Sequence, residues 1–109
     1  MKIICEKNKI TSAVFGVTRA VGSKAAMPVL EGIYINTNTT DSVTVVGYDL
    51  SIAIKTAVEA TITELGGVVI NARIFSDFLR KADSDFIEIV TDEKNSVKLI
   101  AGNTEFSIM

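Results

Sequence analysis

The chain has 109 residues, 48% of them hydrophobic, and a formal net charge of −2 with no histidine. This length suits one compact domain that buries roughly two thirds of its unfolded surface, and the composition excludes a disordered chain. The sequence also has no run of about 20 apolar residues, which excludes a membrane-spanning helix and argues against a membrane partner.

The N-terminal residues predict a short strand. In residues 2–6 the charged Lys2 and Glu6 flank three apolar residues, so a charge follows after only three apolar positions. That stretch is too short for the apolar part of a secretory signal, so we expect a cytoplasmic protein. The single cysteine, Cys5, excludes an internal disulfide.

The next segment has the period of an amphipathic helix. Apolar residues recur at helical spacing and predict a buried stripe formed by Ile10, Val14, Val17 and Val21. The opposite, exposed face holds Lys9, Ser12, Gly16 and Arg19. Because two of these four residues are cations, we expect the exposed face of the first helix to be positively charged.

Three strands are predicted in the middle of the chain. They cover residues 29–37, 42–47 and 50–63, and turn residues such as Asp41 and Asp49 separate them, which indicates antiparallel hairpins. In residues 50–63, apolar and polar side chains alternate, as expected for a sheet with one face in water. We therefore predict one continuous strand over this stretch.

The same order of elements repeats in the second half. We predict a strand at residues 68–71, a helix at 72–82 and strands at 85–91, 96–101 and 104–109. The apolar stripe of this second helix consists of Phe75, Phe78, Leu79 and Ala82. Its opposite face consists of Arg73, Ser76, Asp77 and Arg80.

Both halves therefore follow the order βαβββ. The sequence predicts an α+β fold in which residues 1–109 form a single domain, with two helices side by side on antiparallel sheets. In this arrangement the cationic faces of the two helices point the same way.

The charge distribution agrees with a surface for a polyanion. Residues 6–24 contain four cations and one acid, a net of +3, and residues 72–82 contain three cations and one acid, a net of +2. The remaining residues must then carry −7 to give the total of −2. An acidic chain that concentrates its cations on two helices is expected to meet a polyanion with one face only.

The sequence favours a non-catalytic protein. It has no histidine, Cys5 lies in a strand without an evident base, and the acidic residues of 83–85 and 92–93 fall in predicted turns. The glycine pair at 66–67 lacks the spacing and the lysine of a nucleotide-binding loop. We predict no catalytic residue, no metal site and no cofactor.

Four motifs resemble those of a known family in order and spacing. They are residues 27–33 (MPVLEGI), 47–50 (GYDL), 69–75 (VINARIF) and 101–108 (AGNTEFSI). With them, nearly the whole chain resembles the N-terminal domain of the bacterial DNA polymerase III beta subunit, the sliding clamp.

The resemblance implies a fold and a function. The family has a doubled βαβββ plan in each of three domains, and this chain corresponds to the first. Two subunits join head to tail in a ring that encircles duplex DNA without sequence preference and tethers the replicative polymerase, so that the family acts as a processivity factor in DNA replication. Polymerase and clamp loader are expected to bind domains absent here.

The resemblance also implies site residues. Lys24 and Arg73 match basic positions that touch DNA in the family, and we expect Lys9, Arg19 and Arg80 to support them electrostatically. Phe106 and Ile108 match apolar positions of the subunit interface, where an edge strand continues a sheet into the partner subunit. At Asn103 and Glu105 the chain departs from the charged pattern that often accompanies this strand.

One alternative stays open at this stage. A small α+β interaction module without catalytic activity would use its sheet edge near Phe106 to bind protein, and its basic helix faces would be ordinary solvated surfaces. Phe106 and Ile108 would also suit the core of the domain itself, since alternation places both side chains on one face of their strand.

Overall fold

A computed structural model describes residues 1–18, 32–37, 39, 41–48, 53–94 and 96–108 of the chain. These residues contain two helices, α1 (Lys7–Val17) and α2 (Ala72–Lys81). They also contain nine strands, which are β1 (Lys2–Glu6), β2 (Gly32–Thr37), β3 (Ser42–Tyr48), β4 (Ala53–Glu59), β5 (Thr61–Glu64), β6 (Gly67–Asn71), β7 (Phe86–Thr91), β8 (Val97–Ala101) and β9 (Thr104–Ile108). The predicted α+β class is confirmed.

The strands form two antiparallel sheets that exchange strands between the halves of the chain. One sheet has the order β5-β1-β7-β8-β9 and the other the order β4-β3-β2-β6. The four-stranded sheet combines the three strands that follow α1 (β2, β3 and β4) with β6, the strand that precedes α2. The five-stranded sheet combines the three strands that follow α2 (β7, β8 and β9) with β1, the strand that precedes α1, and with β5 at its edge. Neither half can complete its sheet alone, so the two halves fold as one unit.

The single strand predicted over residues 50–63 is wrong. The described part of this stretch forms β4 and β5, which belong to different sheets, and Ala60 lies at the break. The backbone N–H of Ala60 donates a hydrogen bond to the carbonyl oxygen of Asp41 at 3.0 Å. It therefore takes no part in the hydrogen-bond ladder of the next strand, β5. The predicted alternation nevertheless holds, because Val58 on β4 and Ile62 on β5 both pack toward the core.

The core lies between the helices and the inner faces of the sheets. The predicted stripe of α1 is confirmed at Ile10, Val14 and Val17, which are fully buried, whereas Val21 lies outside the described residues. The predicted stripe of α2 is confirmed at Phe75, Phe78, Leu79 and Ala82. Each large apolar side chain buried in this way stabilises the fold by roughly 1.5–3 kcal/mol.

Two glycines meet specific backbone requirements. Gly47 on β3 lies so close to the end of α1 that a Cβ there would overlap the carbonyl oxygen of Val17. Gly102 has a φ of +59°, which glycine adopts without strain, and it begins the two-residue turn between Ala101 and Thr104. This turn fixes the register of β9 at the edge of its sheet.

Neither α1 nor α2, the helices of the described residues, is long and apolar enough to cross a membrane.

Candidate nucleic-acid and subunit interfaces

The start of α2 is fixed by a side-chain cap. The Oδ1 atom of Asn71 accepts a hydrogen bond from the backbone N–H of Ile74 at 3.1 Å, and the following residue, Ala72, begins the helix. Arg73 therefore lies in the first turn, where no acidic residue is present. The positive end of the helix dipole and the guanidinium of Arg73 add at this point, which favours an anion such as a phosphate group.

Arg73 is exposed and has no carboxylate within 4 Å among the described residues. Arg80 follows seven residues later, so the two arginines occupy nearly the same face of α2, about 10 Å apart along the helix axis. Asp77 lies between them and forms its ion pair with Arg80 at 3.4 Å. The exposed face of α2 therefore presents one unpaired and one weakly paired arginine.

Arg80 also contacts the neighbouring helix. Its guanidinium carbon lies 5.4 Å from the ring centroid of Phe15 on α1, within the range of a cation–π contact. The Arg80 side chain remains 65% exposed in spite of this contact. α1 and α2 thus pack side by side, as predicted, and share a surface at this point.

The prediction that Ser76 lies on the exposed face of α2 is wrong, because Ser76 is buried. Ser76 lies one turn before Arg80 on the same flank of the helix, and this flank faces α1. A polar residue in the sequence pattern indicated solvent, whereas tertiary packing buries the position.

Lys9 is on the other flank of α1. Its ammonium group lies 3.8 Å from a carboxylate oxygen of Glu6 and 3.6 Å from one of Glu59 on β4. At 100° per residue, Lys9 and Phe15 are about 120° apart around the helix. The charge of Lys9 is thus balanced by two carboxylates on the side of α1 that faces β4, away from the contact with Arg80.

Lys7 has a structural role at the junction of the two helices. Its Nζ atom donates a hydrogen bond to the carbonyl oxygen of Ala82, the C-cap residue that follows α2. A cation at this end is favoured by the helix dipole. Lys7 therefore connects the start of α1 to the end of α2, and its ammonium group is engaged within the domain.

Of the five cations predicted to face DNA, the structure describes Lys9, Arg73 and Arg80, whereas Arg19 and Lys24 lie outside the described residues. It brings Arg73 and Arg80 together on α2 and leaves Lys9 apart. Phe15, which is 36% exposed, was not among the residues predicted for this surface. The available signal was an aromatic side chain that falls outside the buried stripe of its own helix.

The candidate subunit interface is the edge strand β9. Phe106 is opposite Leu99 on β8, so it occupies the face of the sheet that points to the helices, yet it is 43% exposed. Its ring centroid lies 6.2 Å from that of Phe78 on α2. Ile108 on the same face is partly buried and packs against the core. The ring of Phe106 therefore lies beside α2 at the edge of the sheet.

Glu105 is on the opposite, outer face of β9. Its carboxylate lies 3.4 Å from the ammonium group of Lys98 on β8. Both side chains are more than half exposed, so the pair contributes roughly 0–1 kcal/mol. Glu105 is therefore engaged within the domain at the position where the sequence departs from the charged pattern of the resembling family.

The described residues contain no group of three or more His, Cys, Asp or Glu side chains that could hold a metal ion. Cys5 is buried, and its Sγ atom lies 3.8 Å from the carbonyl oxygen of Ile87. Burial raises the pKa of this thiol from its ordinary value of 9.0 to about 12. A thiol with this pKa is protonated at neutral pH and therefore a poor nucleophile.

Comparison with known proteins agrees with the fold. The sequence model of the DNA polymerase III beta subunit, N-terminal domain, matches residues 1–109. The chain is similar to the beta sliding clamp of Bacillus subtilis (strain 168), with 28% identity over 116 aligned positions that cover 99% of the chain and 30% of that protein. It is also similar to the beta sliding clamp of Synechococcus elongatus, with 24% identity over 99% of the chain and 29% of that protein.

Solved structures show the same similarity. The DNA polymerase sliding clamp from Bacillus subtilis superimposes with a TM-score of 0.92 at 29% identity, over 98% of this chain and 30% of that one. A protein from Eubacterium rectale ATCC 33656, suggested to be a DNA polymerase III beta subunit, gives a TM-score of 0.94 at 29% identity, over 100% and 30% of the two chains. The chain thus spans less than a third of the length of these relatives.

Proposed function

Because the chain belongs to the DNA polymerase III beta subunit family, through the N-terminal domain of that family, we propose that it acts in DNA replication as part of a sliding clamp. The match over residues 1–109 is the observation on which this proposal rests. In this function the domain is the first of three in a ring-shaped subunit that encircles duplex DNA and tethers the replicative polymerase. The activity is one of binding, without catalysis, and it implies a cytoplasmic location.

The proposed DNA-facing surface is the exposed face of the two helices. Support comes from Arg73, which has no acidic partner among the described residues and lies at the positive end of α2, and from Arg80, which keeps most of its side chain exposed. Such cations attract the phosphate backbone without reading sequence, which suits a protein that slides. Lys24 and Arg19 lie outside the described residues and are proposed for this surface from the sequence alone, and Lys9 contributes least because two carboxylates balance its charge.

The proposed subunit interface is β9 with Phe106 and Ile108. An edge strand offers unpaired N–H and C=O groups to a strand of a partner, and a half-exposed aromatic ring beside it adds apolar area. We propose that this edge meets a second subunit head to tail and so closes the ring of a homodimer. Polymerase and clamp loader would bind other domains of the subunit.

The proposal is tested by the salt dependence of duplex DNA binding in charge variants. Each phosphate contact adds roughly 0.9 to the slope of log K against log salt, so Arg73→Gln and Lys24→Gln should each lower the slope by about that amount. Lys55→Gln is the matched control, because it removes one positive charge from an exposed position on β4, on the face of the strand opposite to the buried Val58.

Unchanged slopes in both Arg73→Gln and Lys24→Gln would contradict the DNA-facing surface. If only substitutions near Phe106 changed the binding of a partner, the alternative function would be the better account. In that alternative, the chain is a small interaction module that binds protein through its sheet edge. The domain alone contacts few phosphates, so we expect dissociation constants of roughly 10⁻⁴ M or weaker and titrations at low salt.

A further inference from the structure

The aromatic ring of Phe15 occupies an exposed position that the helix pattern does not explain. On α1 the buried stripe is formed by Ile10, Val14 and Val17, and Phe15 projects from the far side of that stripe at 36% exposure. The guanidinium of Arg80 from α2 lies over this ring, 5.4 Å from the ring centroid. The contact joins the two helices on the surface that the proposed function assigns to DNA.

Arg80 has two anchors, and they differ in what they do to its charge. Asp77 accepts a hydrogen bond from Nη1 at 3.4 Å and partly neutralises the guanidinium, whereas the ring of Phe15 attracts the cation and leaves its net charge in place. Lys9 is the contrasting case, because two carboxylates hold it. A cation held by a ring keeps more of its attraction for a phosphate than one held by carboxylates.

The geometry also leaves donors available. A guanidinium has five N–H groups, of which Asp77 accepts from one, and the Arg80 side chain is 65% exposed. A free arginine side chain must lose rotamer freedom when it binds a phosphate, whereas one already held by a ring and a carboxylate has lost part of that freedom.

From these observations we propose that Phe15 is a positioning residue for DNA binding, whose ring holds the Arg80 guanidinium across the two helices in an orientation that can engage a backbone phosphate. This inference rests on the proposed function and adds a residue to it. It makes Phe15 an aromatic component of a surface that otherwise works through charge.

The contact itself is tested without DNA. The Nε–Hε resonance of Arg80 should move in Phe15→Leu, which keeps the apolar volume and removes the ring current, and should stay near its original position in Phe15→Tyr, which keeps a ring. Phe86→Leu is the matched control, because it removes a ring of 56% exposure from β7. An Arg80 resonance that is the same in Phe15→Leu as in the wild type would overturn the inference.

The positioning role is tested with short duplex DNA at low salt. We expect Phe15→Leu to weaken binding roughly two- to fivefold, the range for an exposed cation–π contact, and Phe15→Tyr to restore the affinity. In an Arg80→Gln background, Phe15→Leu should have no effect. An equal loss in both backgrounds would indicate a merely structural role and would overturn the inference, as would wild-type affinity in Phe15→Leu.

The two proposals fail in different ways. The proposed function fails if the wild-type protein shows no salt-dependent response to DNA on the helices. The inference on Phe15 fails if the wild type responds and Phe15→Leu responds equally well.

Discussion

The guanidinium carbon of Arg80 lies 5.4 Å from the ring centroid of Phe15 and so connects the exposed surfaces of α2 and α1. A double-mutant cycle of Phe15→Leu and Arg80→Gln should give a coupling of about 0.5–1 kcal/mol in the free energy of unfolding. Urea denaturation of the wild type, the two single variants and the double variant measures this coupling. Additive effects of the two changes would contradict the contact.

Close packing of β3 against the end of α1 predicts opposite effects at two glycines. Gly47→Ala should destabilise the fold by about 1–3 kcal/mol, because its Cβ would overlap the carbonyl oxygen of Val17. Gly16→Ala is the matched control, since an added Cβ meets no atom within 4 Å there and alanine favours the helix by roughly 0.5–1 kcal/mol. Denaturation midpoints that shift equally for both variants would show that β3 does not approach α1 closely.

The cap of α2 predicts a difference between the two helix starts. Asn71→Ala should lower the free energy of unfolding by about 1 kcal/mol, because the N–H of Ile74 loses its acceptor. Glu6 precedes α1 and makes no side-chain cap, so Glu6→Ala should cost less. Thermal unfolding of both variants checks the difference, and a larger loss for Glu6→Ala would be inconsistent with the described caps.

Burial of Cys5 predicts a loss of stability in alkali. The unfolded chain releases the thiol proton near the ordinary pKa of 9.0, whereas the folded protein retains it until about pH 12. Between these values the folded state binds more protons than the unfolded state. The contribution of the protonated thiol to the free energy of unfolding is therefore fully present below pH 9 and falls as the pH rises, by at most about 1.4 kcal/mol per pH unit.

Comparison of the wild type with Cys5→Ala isolates this effect, since the variant lacks the thiol and its cavity cost is the same at each pH. The difference in free energy of unfolding between the two proteins should narrow from pH 8 to pH 10. A constant difference would mean that the thiol is not protected from ionisation.

Much of the fold was predictable from local pattern. The stripes of α1 and α2, the βαβββ order of the second half and the inward direction of Val58 and Ile62 follow from periods that each element has on its own. The break at Ala60 was not predictable, because alternation continues through it, and the carbonyl of Asp41 that accepts its N–H is distant in the sequence. The exchange of β1 and β6 between the sheets likewise depends on tertiary pairing.

The candidate site was predictable in composition but only partly in arrangement. A helical projection identifies Lys9, Arg73 and Arg80 as polar positions, yet it contains no information on the neighbours that balance their charge. Glu59 reaches Lys9 from β4, and Phe15 reaches Arg80 from α1. These contacts depend on how the helices lie against each other and against the sheet edge, which is a property of the folded chain.

The most direct test of the central claim is an amide-resolved NMR titration of the protein with short duplex DNA at low salt, repeated at higher salt. We expect shifts on the exposed face of α2 around Arg73 and Arg80 and on the adjoining face of α1, and we expect them to fade as salt rises. The outer faces of both sheets, which include Lys55 and Lys98, should stay unchanged. Shifts scattered over the sheets, or none on the helices, would contradict a clamp domain that holds DNA against its helices.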